Sequence, residues 1–443
     1  MAPGRPLTYK PHAHNMAPRK RRRAHTPPTL SSPDWTLPVD LVLEIVARSD
    51  DVTTVVRCAA TSKPLRRAIL EPAFRGRLAR LDDEAGSGGG GSSDPDLLVA
   101  VSYRICKHAG GGKDRTVARA SPHLRFDGGL LRSFKPASSR DGLLVLWRNH
   151  ALEDAASCFR NSRRRVEVEL CVCNTFTGHV TPTPLPRTGL KLGRDDGIRG
   201  LYRPALLTAA AGGRSFELLV LSRDLRTQTF SAQDGTWGAV RHVSGYLCHG
   251  HDWQSSMESA TAPVVVGRTI YRLCRRLKRT SEFDRDEVAI LAVDADAATA
   301  DSIELRLSCF WSRSRPVEEH ILGATAEGTK LSVVLAEDRR ISMWTLSQQR
   351  EWSQQVSISR AAIDEQLATT AGLELEACGA IRFESFGGRS GTVLLWVAGV
   401  GLVRLDLGTK KATVLCRCSH RDTCWACLQE MDLASLFRGM KLF

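Results

Sequence analysis

From residue 97 to about residue 425, apolar and polar residues alternate in short runs that are separated by turn-forming residues. The clearest run places four apolar side chains on one face of a predicted strand: Val166, Val168, Leu170 and Val172. Successive side chains of a strand point to opposite faces, so such alternation indicates strands with one buried face. Similar clusters begin near residues 142, 215, 264, 328 and 391. The pattern predicts a mostly antiparallel all-β domain.

The length of this β region restricts its architecture. About 330 residues of short strands exceed what one β-sandwich usually holds. A closed ring of four-stranded blades leaves only short strand edges, and at about 40–50 residues per blade the region accommodates six to eight blades. We therefore predict an irregular β-propeller over residues 97–425. An irregular pair of β-sandwiches is the alternative.

Three short amphipathic segments lie ahead of the β region, within residues 34–81. The first carries two apolar pairs with a spacing of four residues, Leu41 with Ile45 and Val42 with Val46. Residues four apart stack along one side of a helix, and Pro38 suits the first helical position. About 45 residues are too few for a secure core of their own. We expect a three-helix module that packs on the rest of the chain or on a partner, which makes the fold class α+β multidomain.

This module resembles an F-box, the helical segment that joins a substrate receptor to the Skp-type adaptor of an SCF (Skp–cullin–F-box) ubiquitin ligase. The matching residues are Leu37-Pro38, Asp40, Leu41, Ile45, Val55-Val56 and Ser62-Lys63, while Ser49 and Pro64 differ from the pattern. The resemblance implies seven adaptor-binding residues: Leu37, Pro38, Leu41, Val42, Ile45, Val55 and Val56. It also implies a Skp-type adaptor and, through it, a cullin as partners, with an unidentified protein substrate held by the β domain.

The β region resembles the F-box-associated β-rich domains of plant, grass-type F-box proteins. The resemblance rests on the stretch from Cys171 to Pro186 and on the segment from Glu430 to Lys441. In the second segment the apolar residues recur at helical spacing. We therefore expect a short C-terminal helix over residues 426–443.

The net charge of +14 is unevenly distributed. Half of it lies in residues 1–33, which contain no acidic residue and form a tail that we expect to be disordered. Five consecutive cations in this tail form a nuclear-import candidate: Arg19, Lys20, Arg21, Arg22 and Arg23. Residues 82–96 are rich in Gly and Ser and read as a flexible linker. Because no basic stripe contains interleaved aromatic residues, we expect no nucleic-acid partner.

Several absences in the sequence point to an intracellular protein. No run approaches the roughly 20 apolar residues of a membrane helix, and the N-terminus has no apolar segment typical of a secretory signal. The 13 cysteines are scattered rather than arranged as a disulfide framework. We expect no membrane partner and a nuclear and/or cytoplasmic location.

The strongest metal-like run comprises Cys416, Cys418, His420, Cys424 and Cys427. Cys424 and Cys427 have a spacing typical of zinc knuckles, whereas Cys416 and Cys418 are too close together for one. We expect the side chains of Cys416 and Cys418 to point to opposite faces of a strand edge. A second, looser cluster contains Cys248, His249 and His251. We predict that neither run binds metal and that the chain needs no cofactor.

No motif combines a nucleophile, a base and an orienting group, so we predict a binding protein rather than an enzyme. The predicted function is substrate recognition within an SCF-type ligase. Two other classes remain open. One is a β-propeller scaffold without ligase function, and the other is a zinc- or nucleic-acid-binding regulator.

Overall fold

A computed structural model describes residues 37–48, 55, 58–59, 61–71, 73–74, 97–107, 115–121, 128–149, 168–175, 177–184, 186, 203–209, 215–222, 225–245, 262–278, 285–305, 320–325, 328–371, 379–418 and 423–432. The chain divides into two compact units, residues 1–38 and 39–443. In the first unit only Leu37 and Pro38 are described. The architecture that follows is that of the second unit.

The described residues form 24 strands in six antiparallel sheets, which we number as blades 1 to 6. Blade 1 contains β1 (Leu97–Lys107) and β2 (Arg115–Ala120), completed by the last strand of the chain. Blade 2 contains β3 (Lys135–Arg140), β4 (Leu143–Asn149), β5 (Val168–Asn174) and β6 (Val180–Thr183). Blade 3 contains β7 (Ala205–Ala209), β8 (Phe216–Leu221), β9 (Arg226–Ser231), β10 (Thr236–Trp237) and β11 (Arg241–His242). Blade 4 contains β12 (Val264–Val266), β13 (Thr269–Lys278), β14 (Arg285–Asp294) and β15 (Thr299–Glu304).

Blade 5 contains β16 (His320–Ala324), β17 (Leu331–Ala336), β18 (Arg340–Leu346) and β19 (Trp352–Ser359). Blade 6 contains β20 (Ile381–Gly387), β21 (Thr392–Val397), β22 (Gly401–Asp406) and β23 (Ala412–Arg417). The strand that completes blade 1 is β24 (Thr423–Asp432), which pairs with β1 over ten residues, from Leu97 opposite Asp432 to Cys106 opposite Thr423.

The six blades close into a ring. The inner strands β24, β3, β7, β12, β16 and β20 each contact the inner strands of the two neighbouring blades, and β20 of blade 6 contacts β24 of blade 1. Because blade 1 combines strands from both ends of the β region, its strand pairing joins the two ends of the ring. This is a six-bladed β-propeller-like arrangement.

A separate apolar core fills the space between each pair of adjacent blades. Strand β4 shows how the sequence builds two cores at once. Leu144 and Leu146 pack in the core between blades 1 and 2, while Leu143 and Val145 pack in the core between blades 2 and 3. Successive residues of a strand face opposite sides, so the sequence of a strand with both faces buried is a continuous apolar run.

The described helices are short. They are α1 (Val39–Ala47), α2 (Lys63–Ile69), α3 (Leu130–Ser133) and α4 (Arg360–Ala371). Ser62 caps α2, since its Oγ accepts a hydrogen bond from the Leu65 amide at 3.3 Å. Residues 55, 58 and 59 between α1 and α2 are also helical. α4 packs its buried Ile363 and Leu367 into the core between blades 5 and 6.

The helical residues share the core between blades 1 and 2. Val46, Ala47, Leu65 and Ile69 pack there with residues of β1, β4, β5 and β24. These helical residues are too few to form a core alone, and the strands complete it.

The predicted mostly antiparallel β-propeller is confirmed, and its six blades fall within the predicted range; six sheets do not fit a pair of sandwiches. The predicted C-terminal helix over 426–443 is wrong for residues 426–432, because these extend β24 and hydrogen-bond to β1. Residues 433–443, the basic tail 1–33 and the linker 82–96 lie outside the described residues.

Candidate docking surface and the polar centre of the propeller

α1 has two faces of opposite environment. Val42, Leu43, Val46 and Ala47 pack on the core between blades 1 and 2. On the other side of the helix, two apolar side chains four residues apart lie in solvent. Leu41 is 52% exposed and Ile45 is 59% exposed. We call Leu41 and Ile45 the α1 ridge. Leaving such side chains in water gives up the free energy of burial, which is about 1.5–3 kcal/mol for a complete side chain.

Exposed apolar side chains concentrate around this helix. Among the described residues, large hydrophobic side chains with high exposure are Leu37, Val39, Leu41, Ile45 and Val240. Three of the five, Val39, Leu41 and Ile45, lie on α1, and Leu37 belongs to the other unit, whereas Val240 stands alone in the segment between β10 and β11. Single exposed apolar residues are ordinary, but a group of them indicates a binding surface.

Polar residues accompany the α1 ridge. Arg48 Nε donates to Glu44 Oε1 at 3.0 Å, one helical turn apart. Asp40 lies in the first turn of α1, where a negative charge favours the helix dipole. Mixed apolar and charged side chains on an exposed helix face are typical of interaction surfaces with an apolar centre and a polar rim.

The seven predicted adaptor-binding residues divide between surface and interior. Leu41 and Ile45 are exposed, and in the other unit Leu37 and Pro38 are exposed as well. Val42 is half-buried against the core, and Val55 is 3% exposed within it. Val55 is therefore a residue of the interior and not of the surface. Val56 lies outside the described residues, as do the nuclear-import residues 19–23.

The described cysteines of the metal-like run divide between two cores. Cys424 packs between blades 6 and 1, whereas Cys427 packs between blades 1 and 2, so the two thiols lie on opposite faces of β24. His420 lies outside the described residues, and no group of three metal-ligating side chains forms among those that are described. Our expectation for Cys416 and Cys418 is wrong: residues two apart in a strand share a face, and the two sulfur atoms lie 3.8 Å apart.

A buried group of charges at the centre of the propeller has no counterpart in the sequence predictions. Glu384 on the inner strand β20 is 2% exposed and accepts a hydrogen bond from Arg382 Nε at 2.8 Å. Its carboxylate also accepts a hydrogen bond from the Ala426 amide of β24. A β-bulge at Glu384 breaks the register with β21, and bulges commonly redirect a side chain.

Two further guanidinium groups lie in the interior, and that of Arg203 interacts with this carboxylate. Arg203, which precedes the inner strand β7, is 5% exposed, and Arg272 of β13 is 2% exposed. A guanidinium nitrogen of Arg272 donates a hydrogen bond to the Arg203 carbonyl oxygen. Arg203 Nη1 has no hydrogen-bond partner among the described residues.

Burial dominates the electrostatics of this group. It raises the pKa of Glu384, against the opposing charges of Arg382 and Arg203. Burial also lowers the pKa of Arg203, and the negative charge of Glu384 opposes that shift most strongly. The single carboxylate is thus the counter-charge of both Arg382 and Arg203, and it links blade 6 to the start of blade 3 by charge and to blade 1 through the Ala426 amide. No proton donor and acceptor pair with a nucleophile is evident in this group.

Among the described residues, no helix is sufficiently long and apolar to traverse a bilayer. A family model described as a domain of unknown function, DUF7595, matches residues 100–443. A search of curated proteins found no match.

Two solved structures illustrate the similarity that the comparison found, and both have low scores. TolB from Acinetobacter baumannii has 7% identity and a TM-score of 0.30, with 78% of this chain and 58% of TolB covered. This chain therefore spans less than two thirds of the length of TolB. A family 117 glycoside hydrolase from Zobellia galactanivorans has 11% identity and a TM-score of 0.29, with 52% of this chain and 70% of the hydrolase covered. Such scores do not establish a shared fold, and the blade arrangement follows from the strand pairing alone.

Proposed function

The chain belongs to the DUF7595 family, and we propose that it is the substrate-recognition subunit of an SCF-type ubiquitin ligase. The β-propeller-like domain is consistent with a protein-interaction scaffold. The observation that carries the proposal is the two-faced α1, with a buried face in the core between blades 1 and 2 and an exposed ridge of Leu41 and Ile45. An apolar ridge of this kind fits a Skp-type adaptor that covers it.

In this proposal the α1 ridge docks on the adaptor, and the adaptor connects the chain to a cullin. Leu41 and Ile45 are each about half exposed, so covering them removes about half of a full side chain from water, which is worth ~0.8–1.5 kcal/mol apiece. Two such residues at the centre of an interface supply part of the binding free energy of a micromolar complex, and neighbouring contacts supply the rest.

The propeller holds a protein target through the loops at one end of the ring. Ubiquitin transfer is then accelerated by proximity, with the chemistry supplied by other subunits, so the chain itself is not an enzyme. This function places the protein in the nucleus and/or the cytoplasm, where its thiols stay reduced. The five cations of residues 19–23 are the candidate nuclear-import signal in this proposal.

The test is co-purification of the full-length chain with a Skp-type adaptor. Leu41→Asp and Ile45→Asp place a charge in the ridge, and we expect each to weaken adaptor binding at least tenfold because a buried unpaired carboxylate is costly. Neither change should lower the thermal stability of the free chain, since both side chains lie in solvent. Val240→Asp is the matched control, because it alters an exposed apolar residue of blade 3 and should leave binding unchanged.

Equal adaptor recovery with the wild type, Leu41→Asp and Ile45→Asp would contradict the docking role. Loss of binding with Val240→Asp as well would indicate a general effect of added charge. Val46→Asp reports on the other face of α1, since Val46 is 1% exposed. It should unfold the helical module and so differ from the ridge variants in its circular dichroism spectrum.

A propeller scaffold without ligase function is the second candidate, and the six closed blades favour it equally. It would bind protein partners through the loop ends of the blades and would not co-purify with the adaptor. The same pull-down therefore separates the two functions.

A further inference from the structure

Two thiols meet at the junction of blade 6 and blade 1. Cys416 lies near the end of β23, and Cys418 follows the last residue of that strand. The Cys418 thiol is directed at the Cys416 sulfur at 3.8 Å and at the Cys416 carbonyl oxygen at 3.7 Å. Both side chains are partly exposed. A disulfide requires a sulfur–sulfur distance of about 2.05 Å, so the two sulfur atoms must approach each other by about 1.8 Å to form the bond.

Blade 1 surrounds this pair with groups that favour negative charge. Tyr103 of β1 hydrogen-bonds to the Cys416 sulfur. Lys107 Nζ donates a hydrogen bond to the carbonyl oxygen of Arg417 at 3.2 Å. Arg417 is the residue between the two cysteines, so this bond fixes the lysine charge close to the pair. Arg119 of β2 adds a second positive charge near Cys416.

These surroundings make the two thiols unequal. The hydrogen bond from Cys418 lowers the pKa of Cys416 to about 6, assisted by the charges of Lys107 and Arg119 and by the Tyr103 hydroxyl, while partial burial opposes the shift. The same hydrogen bond raises the pKa of Cys418, together with burial and the nearby Cys416 and Cys424 sulfurs. At neutral pH the pair thus consists of a thiolate beside a thiol. A partly exposed thiolate with an adjacent resolving thiol is the usual arrangement of a redox-sensitive cysteine pair.

We propose that Cys416 and Cys418 form a dithiol that hydrogen peroxide oxidises to an intramolecular disulfide. The Cys416 thiolate attacks one peroxide oxygen, the O–O bond breaks, and the departing hydroxide becomes water by combining with the proton that the Cys416 thiol released on ionising. The Cys418 sulfur then attacks the Cys416 sulfenic acid. Its S–H proton joins the departing hydroxide as water. Two thiols and one peroxide give one disulfide and two waters, and the two electrons come from the two sulfur atoms. This inference is independent of adaptor docking.

The chain contains its own control for this chemistry. Cys171 and Cys173 have the same spacing on β5 but are 5% and 0% exposed. Burial raises the pKa of each to about 12. Spacing is therefore equal in the two pairs, whereas exposure and charge differ. Since the thiolate is the reacting form, Cys171 and Cys173 should stay reduced under conditions that oxidise Cys416.

Arg417 makes the disulfide directly measurable. Trypsin cleaves between the two cysteines and releases the peptides 412–417 and 418–421, which remain joined only when the disulfide is present. We would treat the full-length protein with equimolar hydrogen peroxide in the presence of a chelator, block the remaining thiols under denaturing conditions, digest without reductant and analyse the peptides by mass spectrometry. We expect the joined pair to appear, and to disappear after reduction, while Cys171 and Cys173 carry the blocking group.

Two variants test the order of the steps. In Cys418→Ser, Cys416 should stop at the sulfenic acid and be trapped by dimedone. In Cys416→Ser, oxidation of Cys418 should slow at least about tenfold, because an ordinary thiol of pKa near 8.5 is only a few per cent ionised at pH 7. Thermal unfolding should be measured on both variants to establish that each is folded.

Three results would overturn the proposal. The first is that the joined peptides are absent at peroxide doses that label a sulfenic acid at Cys416. The second is that Cys171 and Cys173 are oxidised as readily as Cys416 and Cys418. The third is that Cys418 is oxidised in Cys416→Ser at the same rate as in the wild type.

Discussion

Replacing Glu384 with Gln tests whether one carboxylate stabilises the centre of the ring. The change keeps the shape of the side chain but removes the counter-charge of Arg382 and Arg203. Breaking a buried ion pair from one side typically costs ~3–5 kcal/mol, because the remaining charge stays buried. The Arg382 side chain is 30% exposed and can regain water, whereas Arg203 is 5% exposed and cannot. We therefore expect the lower end of the range, about 3 kcal/mol.

The corresponding shift in melting temperature is measurable by calorimetry. Unfolding entropy of about 2.1 cal/mol/K per residue gives ~0.7 kcal/mol/K for the roughly 340 residues of the propeller. A loss of about 3 kcal/mol thus lowers the Tm by about 4 °C. Glu384→Gln combined with Arg203→Met should recover part of the loss, since the double change removes the stranded charge together with its partner.

The matched control is Asp301→Asn. Asp301 Oδ2 pairs with Arg350 at 2.7 Å, but the two side chains are 53% and 66% exposed. An exposed pair contributes at most about 1 kcal/mol, so the Tm should fall by less than about 1.5 °C. Equal shifts for Glu384→Gln and Asp301→Asn would refute the reasoning, and would mean that the Glu384 carboxyl is already neutral in the folded protein.

Two other predictions concern packing and titration. Gly388→Ala should lower the Tm by about 4 °C or more, because a Cβ at this turn of blade 6 would overlap the carbonyl oxygen of Ala324 in blade 5. The control is Gly128→Ala, which should leave the Tm unchanged because a Cβ there meets nothing within 4 Å. Alkylation of Cys416 by iodoacetamide should rise through a midpoint at pH of about 6 and level off above it, since the pKa of the thiol is lowered to about 6; a rate that still climbs between pH 8 and 9 would contradict the assigned thiolate.

The strands with a clear two-residue period could be predicted from sequence, and those defined by distant pairing could not. The alternation over residues 166–172 anticipated β5. Residues 426–432 carry no such alternation and become a strand because β1, more than 300 residues earlier, supplies the hydrogen bonds. The cluster that begins near residue 264 opens with a hairpin between β12 and β13, because Gly267 adopts φ +60° and turns the chain.

The candidate sites divide in a similar way. The helical spacing of Leu41 and Ile45 indicated an apolar stripe, but only the packing of α1 shows which apolar residues stay outside and that Val55 lies inside. The Glu384 group could not be predicted, because a charged residue within a strand gives no sign that its strand lines the centre of a ring. For Cys416 and Cys418, the rule that residues two apart share a strand face is sufficient to place the two thiols together. Our expectation of opposite faces contradicted that rule.

The pairing of β24 with β1 has a consequence for synthesis. A ribosome releases β1 early, yet the strand that must cover its edge emerges only after residues 423–432 have left the exit tunnel. Until then the nascent polypeptide carries an unpaired edge of ten residues, Leu97 to Cys106, which is a template for association with other chains. A premature stop that removes only the last twenty-one residues would therefore be as damaging as loss of a whole blade, and chaperone dependence during translation is the expected price of this closure.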